Sequence, residues 1–185
     1  MKIRFNHTII LCVIMGCVSG SFFSGCGYTT RSLLHTEYKT IFITPFTNKI
    51  DITRDTSSTQ YKVNKPMLDT AITKAVSNKF LFDGNLKPVK AGNANLVLKG
   101  DVVEFRRDPV RYTDNEDVEE YRLNLVVNIS MWDETAGKIL WTENGFTGDT
   151  TYFVKGTQAK SEDVAINDAI NDLARRIVER TVEQW

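Results

Sequence analysis

From residue 120 to 132 the chain reads EYRLNLVVNISMW, a regular alternation of apolar and polar positions. Tyr121, Leu123, Leu125, Val127, Ile129 and Met131 share one parity, and Arg122, Asn124, Asn128 and Ser130 share the other. A period of two is that of a β-strand, and one apolar face against one wet face belongs to an antiparallel sheet covered on a single side. DETAGK (133–138) then turns the chain back into ILWTE (139–143), a predicted hairpin, and TTYFV (150–154) extends the return strand. Upstream, ANLVLKGDVVEFRR (94–107) predicts a long strand whose apolar phase changes part-way. Leu96 and Leu98 have one parity, Val103 and Phe105 the other, so a bulge is expected at Gly100–Asp101. KTIFITPF (39–46) predicts a short buried strand stopped by Pro45, and LKPV (86–89) an edge strand in which Pro88 is tolerated.

Two stretches carry the helical period instead. Leu68, Ile72, Val76 and Phe80 recur every four residues, with Ala71 and Ala75 alongside. Asn64 and Pro66 predict the start of this helix, and Asp83-Gly84 its end, glycine supplying the left-handed cap. Near the other end of the chain, Ile166, Ile170, Leu173 and Ile177 form a second stripe. Ser161 is its predicted N-cap, Glu162 and Asp163 face the positive end of its dipole, and Arg175, Arg176 and Arg180 lie near the negative end. The order β-α-β-β-β-α predicts an α+β two-layer sandwich: a mostly antiparallel four-stranded sheet with two helices packed on one face. TNKIDITRDTSSTQYKVNKP (47–66) is the longest predicted loop, and residues 108–119 form a second.

The N-terminal pattern differs in kind. Lys2 and Arg4 stand in a short stretch without acid, and TIILCVIMGCV (8–18) is almost wholly apolar. That run is shorter than the about 20 residues a bilayer-spanning helix needs, and small residues follow it, which marks a secretory signal peptide. Phe23-Ser24-Gly25-Cys26 is similar to the lipobox of bacterial lipoproteins, with Phe23 where leucine is usual. The resemblance implies cleavage before Cys26 and a covalent diacylglycerol and N-acyl group on that residue. Cys17, behind Ile14-Met15-Gly16, is the rival; Cys26 is favoured because the chain turns polar immediately after it. Gly27 follows the cysteine in place of aspartate, which by enteric sorting rules points to the outer membrane. The expected organisation is thus a signal peptide at 1–25, a lipidated tether at 26–38 and one α+β domain at 39–185.

Cleavage leaves 160 of the 185 residues and takes the basic side chains from 23 to 21 against 23 acidic, a net charge of −2. That balance offers nothing to a nucleic acid. Cys12 and Cys17 leave with the signal and Cys26 is acylated, so no disulfide is expected. His35 is the sole histidine of the mature chain, no nucleophilic cysteine remains, and HExxH, GxSxG and phosphate-loop patterns are missing. The acidic TDNEDVEE (113–120) lacks the glycine and spaced glutamate of a calcium loop and reads as a solvated turn. A non-enzymatic protein without metal or freely bound cofactor is the expectation.

The ordered set of CGY after the cleavage site, KTIFITPFTN, FLFDGNLKPV, ANLVLKGDVVEF and the long hairpin ending in Leu140-Trp141 resembles the LptE family of outer-membrane lipopolysaccharide-assembly lipoproteins. Asn95 stands where that family's Ala-Asp-x-x-Leu-x-Gly strand has aspartate, and the loop at 47–66 is longer than the family pattern. The resemblance implies a domain inside the lumen of a large outer-membrane β-barrel, LptD, which helps the barrel fold and helps deliver lipopolysaccharide to the outer leaflet. It implies a periplasm-facing lipid anchor as well. A lipoprotein subunit of another outer-membrane export or assembly machine is the alternative. Arg106, Arg107 and Arg111 in EFRRDPVRY are the candidate contacts for lipopolysaccharide, because arginine forks match phosphate bidentately. The competing reading is an exposed strand end paired with Asp108, Asp114 or the acidic turn. Trp132, Trp141, Tyr112 and Tyr121 are candidates for a barrel wall, with packing of the hairpin as the default.

Overall fold

The computed structural model describes residues 38–50 and 65–183. The elements run β1 (Thr40–Ile43), β2 (Thr47–Asn48), α1 (Leu68–Asp83), β3 (Lys87–Pro88), β4 (Leu96–Tyr112), β5 (Val118–Asp133), β6 (Lys138–Phe153) and α2 (Glu162–Glu183). The fold is the expected α+β arrangement of a sheet with two helices, but the described sheet has six strands, in the order β3-β1-β4-β5-β6 with β2 also on β4. The long β4, β5 and β6 are antiparallel, whereas β1 runs parallel to both β3 and β4, and β2 parallel to β4. A helix between two neighbouring strands returns the chain in the same direction, so α1 makes β1 and β3 parallel. The alternation of β5 could report only on its own neighbours.

The two helical stripes pack as their periods require. Leu68, Ile72, Val76 and Phe80 of α1 are all buried, as are Ile166, Ile170, Leu173 and Ile177 of α2. They meet Leu98, Val102, Phe105, Leu125, Ile129 and Met131 of the sheet in one core. Gly84 ends α1 in the left-handed conformation (φ 79°), its amide donating to the Phe80 carbonyl at 3.2 Å. The Ser161 hydroxyl accepts the Val164 amide at 3.4 Å at the start of α2. The start of α1 differs from expectation. Pro66 lies in a turn, and Met67, with φ 60° and no side-chain cap, precedes the first helical residue, while Asn64 lies outside the described residues.

In β4 the phase change is real but sits further along than Gly100–Asp101. The register shifts between Val102 and Glu104, so Val103 is the extra residue and the inward positions pass from Leu98 and Val102 to Phe105. Gly100 has another duty. A Cβ there would lie 2.1 Å from the Phe46 ring, so the missing side chain makes room for a buried phenylalanine. The loop expected at 108–119 is mostly strand: β4 continues through Pro109, which pairs with Tyr121, and the turn is confined to residues 113–117. Past Val102 no described strand pairs with the other side of β4, which is where a proline, lacking the amide, is tolerated in a strand.

At the outer edge β6 is bent by irregularities opposite Asn128 and between Met131 and Trp132. Gly145, with φ 71°, donates its amide to the Asn128 side chain at 2.9 Å. Helix α2 comes so close at Gly148 that a Cβ would lie 2.6 Å from the Leu173 backbone. One turn of α2 reaches the edge itself, where the Asp149 amide donates to the Asp172 carboxylate at 3.1 Å and Arg176 bonds the Asp149 side chain at 2.9 Å.

Candidate interaction surfaces

The three candidate arginines come from one strand, and strand geometry separates them. Adjacent residues point to opposite faces. Arg106 lies on the face away from the helices, where its Nε bonds Asp108 at 2.7 Å and its fork reaches Glu104 at 2.8 Å. The hydrogen bond with Asp108 raises the Arg106 pKa above its ordinary value, against the opposing effect of burial. Arg107 lies on the helix side, bonded to Glu162 of α2 at 2.7 Å and stacked over the Tyr121 ring at 4.7 Å. Burial opposes the Arg107 charge, yet Glu162 and the neighbouring tyrosines hold its pKa up. Arg111 has a longer pair, 3.5 Å to Glu120, and 58% of its side chain is exposed. The structure therefore does not gather the three into one cluster; each already has a carboxylate. Of the acids named as competing partners, Asp108 is engaged by Arg106, and Glu120 of the acidic stretch by Arg111.

The aromatic candidates divide too. Tyr121 stacks on Tyr152 with ring centroids 5.9 Å apart, and Trp141 is half-buried against the core beneath the Arg180 guanidinium at 4.7 Å. Tyr112 is exposed at the far end of β4. Trp132 stands on the open face with the Lys99 ammonium 4.2 Å from its ring. Register places Phe42, Val97, Trp132 and Ile139 in one row across β1, β4, β5 and β6. Beside that row lies a shallow concavity of about 540 Å³, lined by Thr44, Lys99, Asp101, Asn128, Ser130 and Thr142 among others. Its lining is rich in hydroxyl and amide groups, which suits hydrogen bonding to a polar partner. Sequence alternation had marked Asn128 and Ser130 as wet, but the row across four strands needed the register. Asn124, expected wet, is half-buried and donates to Asp108 at 2.9 Å.

At one end of the sheet the chain enters β1 through a small network. The Asn95 side-chain oxygen accepts the Lys39 amide at 3.0 Å, the Thr40 amide at 3.2 Å and the Thr40 hydroxyl at 2.9 Å. These are acceptor duties that aspartate would also perform, so the departure from the family pattern at this position keeps the contact. Tyr38 donates its hydroxyl to the buried Asp133 at 2.8 Å, and Asp133 also takes the Ala136 amide at 2.9 Å. The Ala136 amide first, then the tyrosine hydroxyl, hold the Asp133 carboxyl below the usual range. Asp172 is also lowered: burial works to raise it, but Arg175, the Asp149 amide and Arg176 prevail.

Among the described residues no group of three or more His, Cys, Asp or Glu side chains could hold a metal ion. No described helix is long and apolar enough to cross a membrane. Cys26, His35 and residues 51–64 lie outside the described residues.

The family model LptE, described as lipopolysaccharide-assembly, matches residues 38–181. No curated protein sequence matches the chain. Among solved structures, the crystal structure of protein XCC0632 from Xanthomonas campestris shares the fold with a TM-score of 0.52 at 10% identity, over 80% of this chain and 88% of that one. A minor lipoprotein from Acinetobacter baumannii gives a TM-score of 0.48 at 17% identity, over 78% of this chain and 93% of that one. The rare lipoprotein B of Shewanella oneidensis gives 0.45 at 15% identity, over 76% of this chain and 92% of that one.

Proposed function

This chain belongs to the LptE family of lipopolysaccharide-assembly lipoproteins, and from that membership we propose that it is held at the outer membrane by acyl groups on Cys26 and assists an LptD-type β-barrel. In this reading it helps the barrel reach its assembled form and helps lipopolysaccharide pass to the outer leaflet, making and breaking no bond. The observation that carries the proposal is the extent of the family match, which begins at Tyr38 and runs through both helices and every described strand. The geometry is consistent with work done through surfaces. Among the described residues one sheet face carries no helix and bears a polar concavity beside a row of apolar side chains that runs from buried Val97 to exposed Ile139.

Within the same reading the signal peptide occupies residues 1–25 and the tether 26–38. Arg106, Arg107 and Arg111 remain the assigned contacts for lipopolysaccharide phosphate. Arg111 leads, because its side chain is the most exposed of the three and its carboxylate pair the longest. Depleting the protein in its native host tests the function. Fully assembled LptD-type barrel and surface lipopolysaccharide should both fall. Unchanged levels of both would instead favour a subunit of a different outer-membrane export or assembly complex. Mass spectrometry of the mature N-terminus tests the anchor, and a free thiol at Cys26 or a start at Cys17 would refute it.

A further inference from the structure

The two ends of the sandwich carry opposite chemistry. At the end where the chain enters at Tyr38, helix α1 finishes with Phe82 85% exposed and Leu81 62% exposed. Adjacent exposed apolar side chains rimmed by polar residues form a patch of the kind that marks an interaction site. Ile139, 50% exposed, opens β6 at the same end, beside Trp132. Exposed lysines surround these groups. Lys39 enters β1, Lys87 pairs with Thr40, Lys138 pairs with Asp133, Lys90 closes a turn on Asn93, and Lys79 lies in the last turns of α1. None of the five makes an ion pair among the described residues, where the exposed acids at this end are Asp83 and Glu134. About 50 Å away along β5, at about 3.3 Å per residue, the turn after β4 carries Asp114, Glu116 and Asp117 with Glu119 and Glu120 beside it, an acidic excess in which Asp117 pairs with Lys155 and Glu120 with Arg111.

We propose that the chain-entry end of the sandwich is a peripheral membrane contact that seats on an anionic phospholipid surface. Phe82 and Leu81 enter the headgroup region, and the surrounding lysines face lipid phosphates. Exposed aromatic and aliphatic groups ringed by lysine are the composition that membrane interfaces retain. Each lysine near an anionic surface adds a modest attraction, so several together orient a domain that acyl chains already hold. The acidic turn is repelled by the same surface and is directed away from it. The inference rests on the anchored reading of Cys26 and specifies which end of the domain meets lipid.

The test uses the full lipidated chain in vesicles of phosphatidylethanolamine with phosphatidylglycerol, compared with vesicles of phosphatidylcholine alone. An environment-sensitive dye is placed at Asn85→Cys, beside Phe82, or at Asn115→Cys in the acidic turn. The Asn85→Cys probe should shift to the blue and be quenched by brominated lipid in the anionic vesicles only. High salt, or Lys87→Glu with Lys90→Glu, should abolish the shift, and Phe82→Ser should reduce it. The Asn115→Cys probe should stay aqueous throughout. Equal behaviour of the two probes, or an Asn85→Cys probe shielded in native membranes but never by phospholipid, would overturn the proposal; the latter would give this end to a protein wall. The unsubstituted chain is labelled in parallel. Dye uptake there exposes a free Cys26 and counts against the anchor alone, so the two failures are told apart.

Discussion

The parallel corner made by β1, β2 and β3 and the antiparallel ribbon made by β4, β5 and β6 solve the same problem by different means. Each ribbon strand has 16 or 17 residues, and every inward residue of β5 from Leu123 to Met131 repeats the same instruction. A slip by one residue would turn all of them outward, so register there is specified many times over. The corner strands have four, two and two residues. They cannot define a register by alternation, and single fitted contacts do it instead: Asn95 on Lys39 and Thr40, Phe46 on Gly100, and the Thr73 hydroxyl, which accepts the Phe46 amide at 2.9 Å. Redundancy makes a region tolerant of a point change, and fitted contacts make it brittle.

The largest effect should come where the ribbon behaves like the corner. Gly148→Val places atoms against the Leu173 backbone, which cannot rotate away as a side chain can. It should cost about 4 kcal/mol or more in urea unfolding, beyond the usual range for overpacking, and a well-folded Gly148→Val chain would break the comparison. Next comes Leu125→Ala, fully inside the redundant region, at about 2–5 kcal/mol with the denaturant slope unchanged. Its open-face neighbour Asn124→Ala should cost about 1 kcal/mol, the worth of its bond to Asp108; equal losses at the two positions would show the faces to be misassigned.

Smaller than the loss at Leu125 is that of Asn95→Ala, which strands two backbone amides at the mouth of β1 and should cost about 2 kcal/mol at most. Asn95→Asp keeps the acceptor and should be close to neutral, which sharpens the claim that one oxygen fixes the corner. The last effect is one of pH. Asp133 has its folded pKa below the unfolded value, so the stability it adds is present above the ordinary carboxylate range and is lost as pH falls through the lowered folded value. Unfolding midpoints compared at neutral and acid pH should therefore converge for wild type and Asp133→Asn as the solution is acidified. A constant gap between them would show that the Asp133 charge adds nothing to its bonds with Tyr38 and Ala136.

The same contrast explains what could be read without coordinates. The stripes of α1 and α2 and the alternation of β5 are long, repeated patterns, and each buried the residues it marked except Tyr121, which is half-buried. The glycine cap at Gly84 was legible because a left-handed residue at a helix end has few other solutions. The bulge was detected but misplaced, since a change of parity shows only that an extra residue exists somewhere between Leu98 and Phe105. Asp108 to Tyr112 looked like loop because charges and a proline interrupt the pattern. They lie where β4 has become an edge, and Arg107 meets Glu162 of α2 where the apolar pattern of β4 gives way to charge. The division of Arg106 from Arg107 was implicit in the period of two once that segment was known to be strand.

The contact of Asp172 with the Asp149 amide has a consequence for the life of the protein before it meets any partner. Chains whose own strands are still unpaired add readily to an exposed sheet edge. A long bare edge such as β6 would be a template for them, joining chains out of order into insoluble ribbons. By bending that edge at Asn128 and occupying one of its donors from the helix above, the chain keeps its longest border from propagating. Asp172 is in this sense a gatekeeper against edge-to-edge pairing.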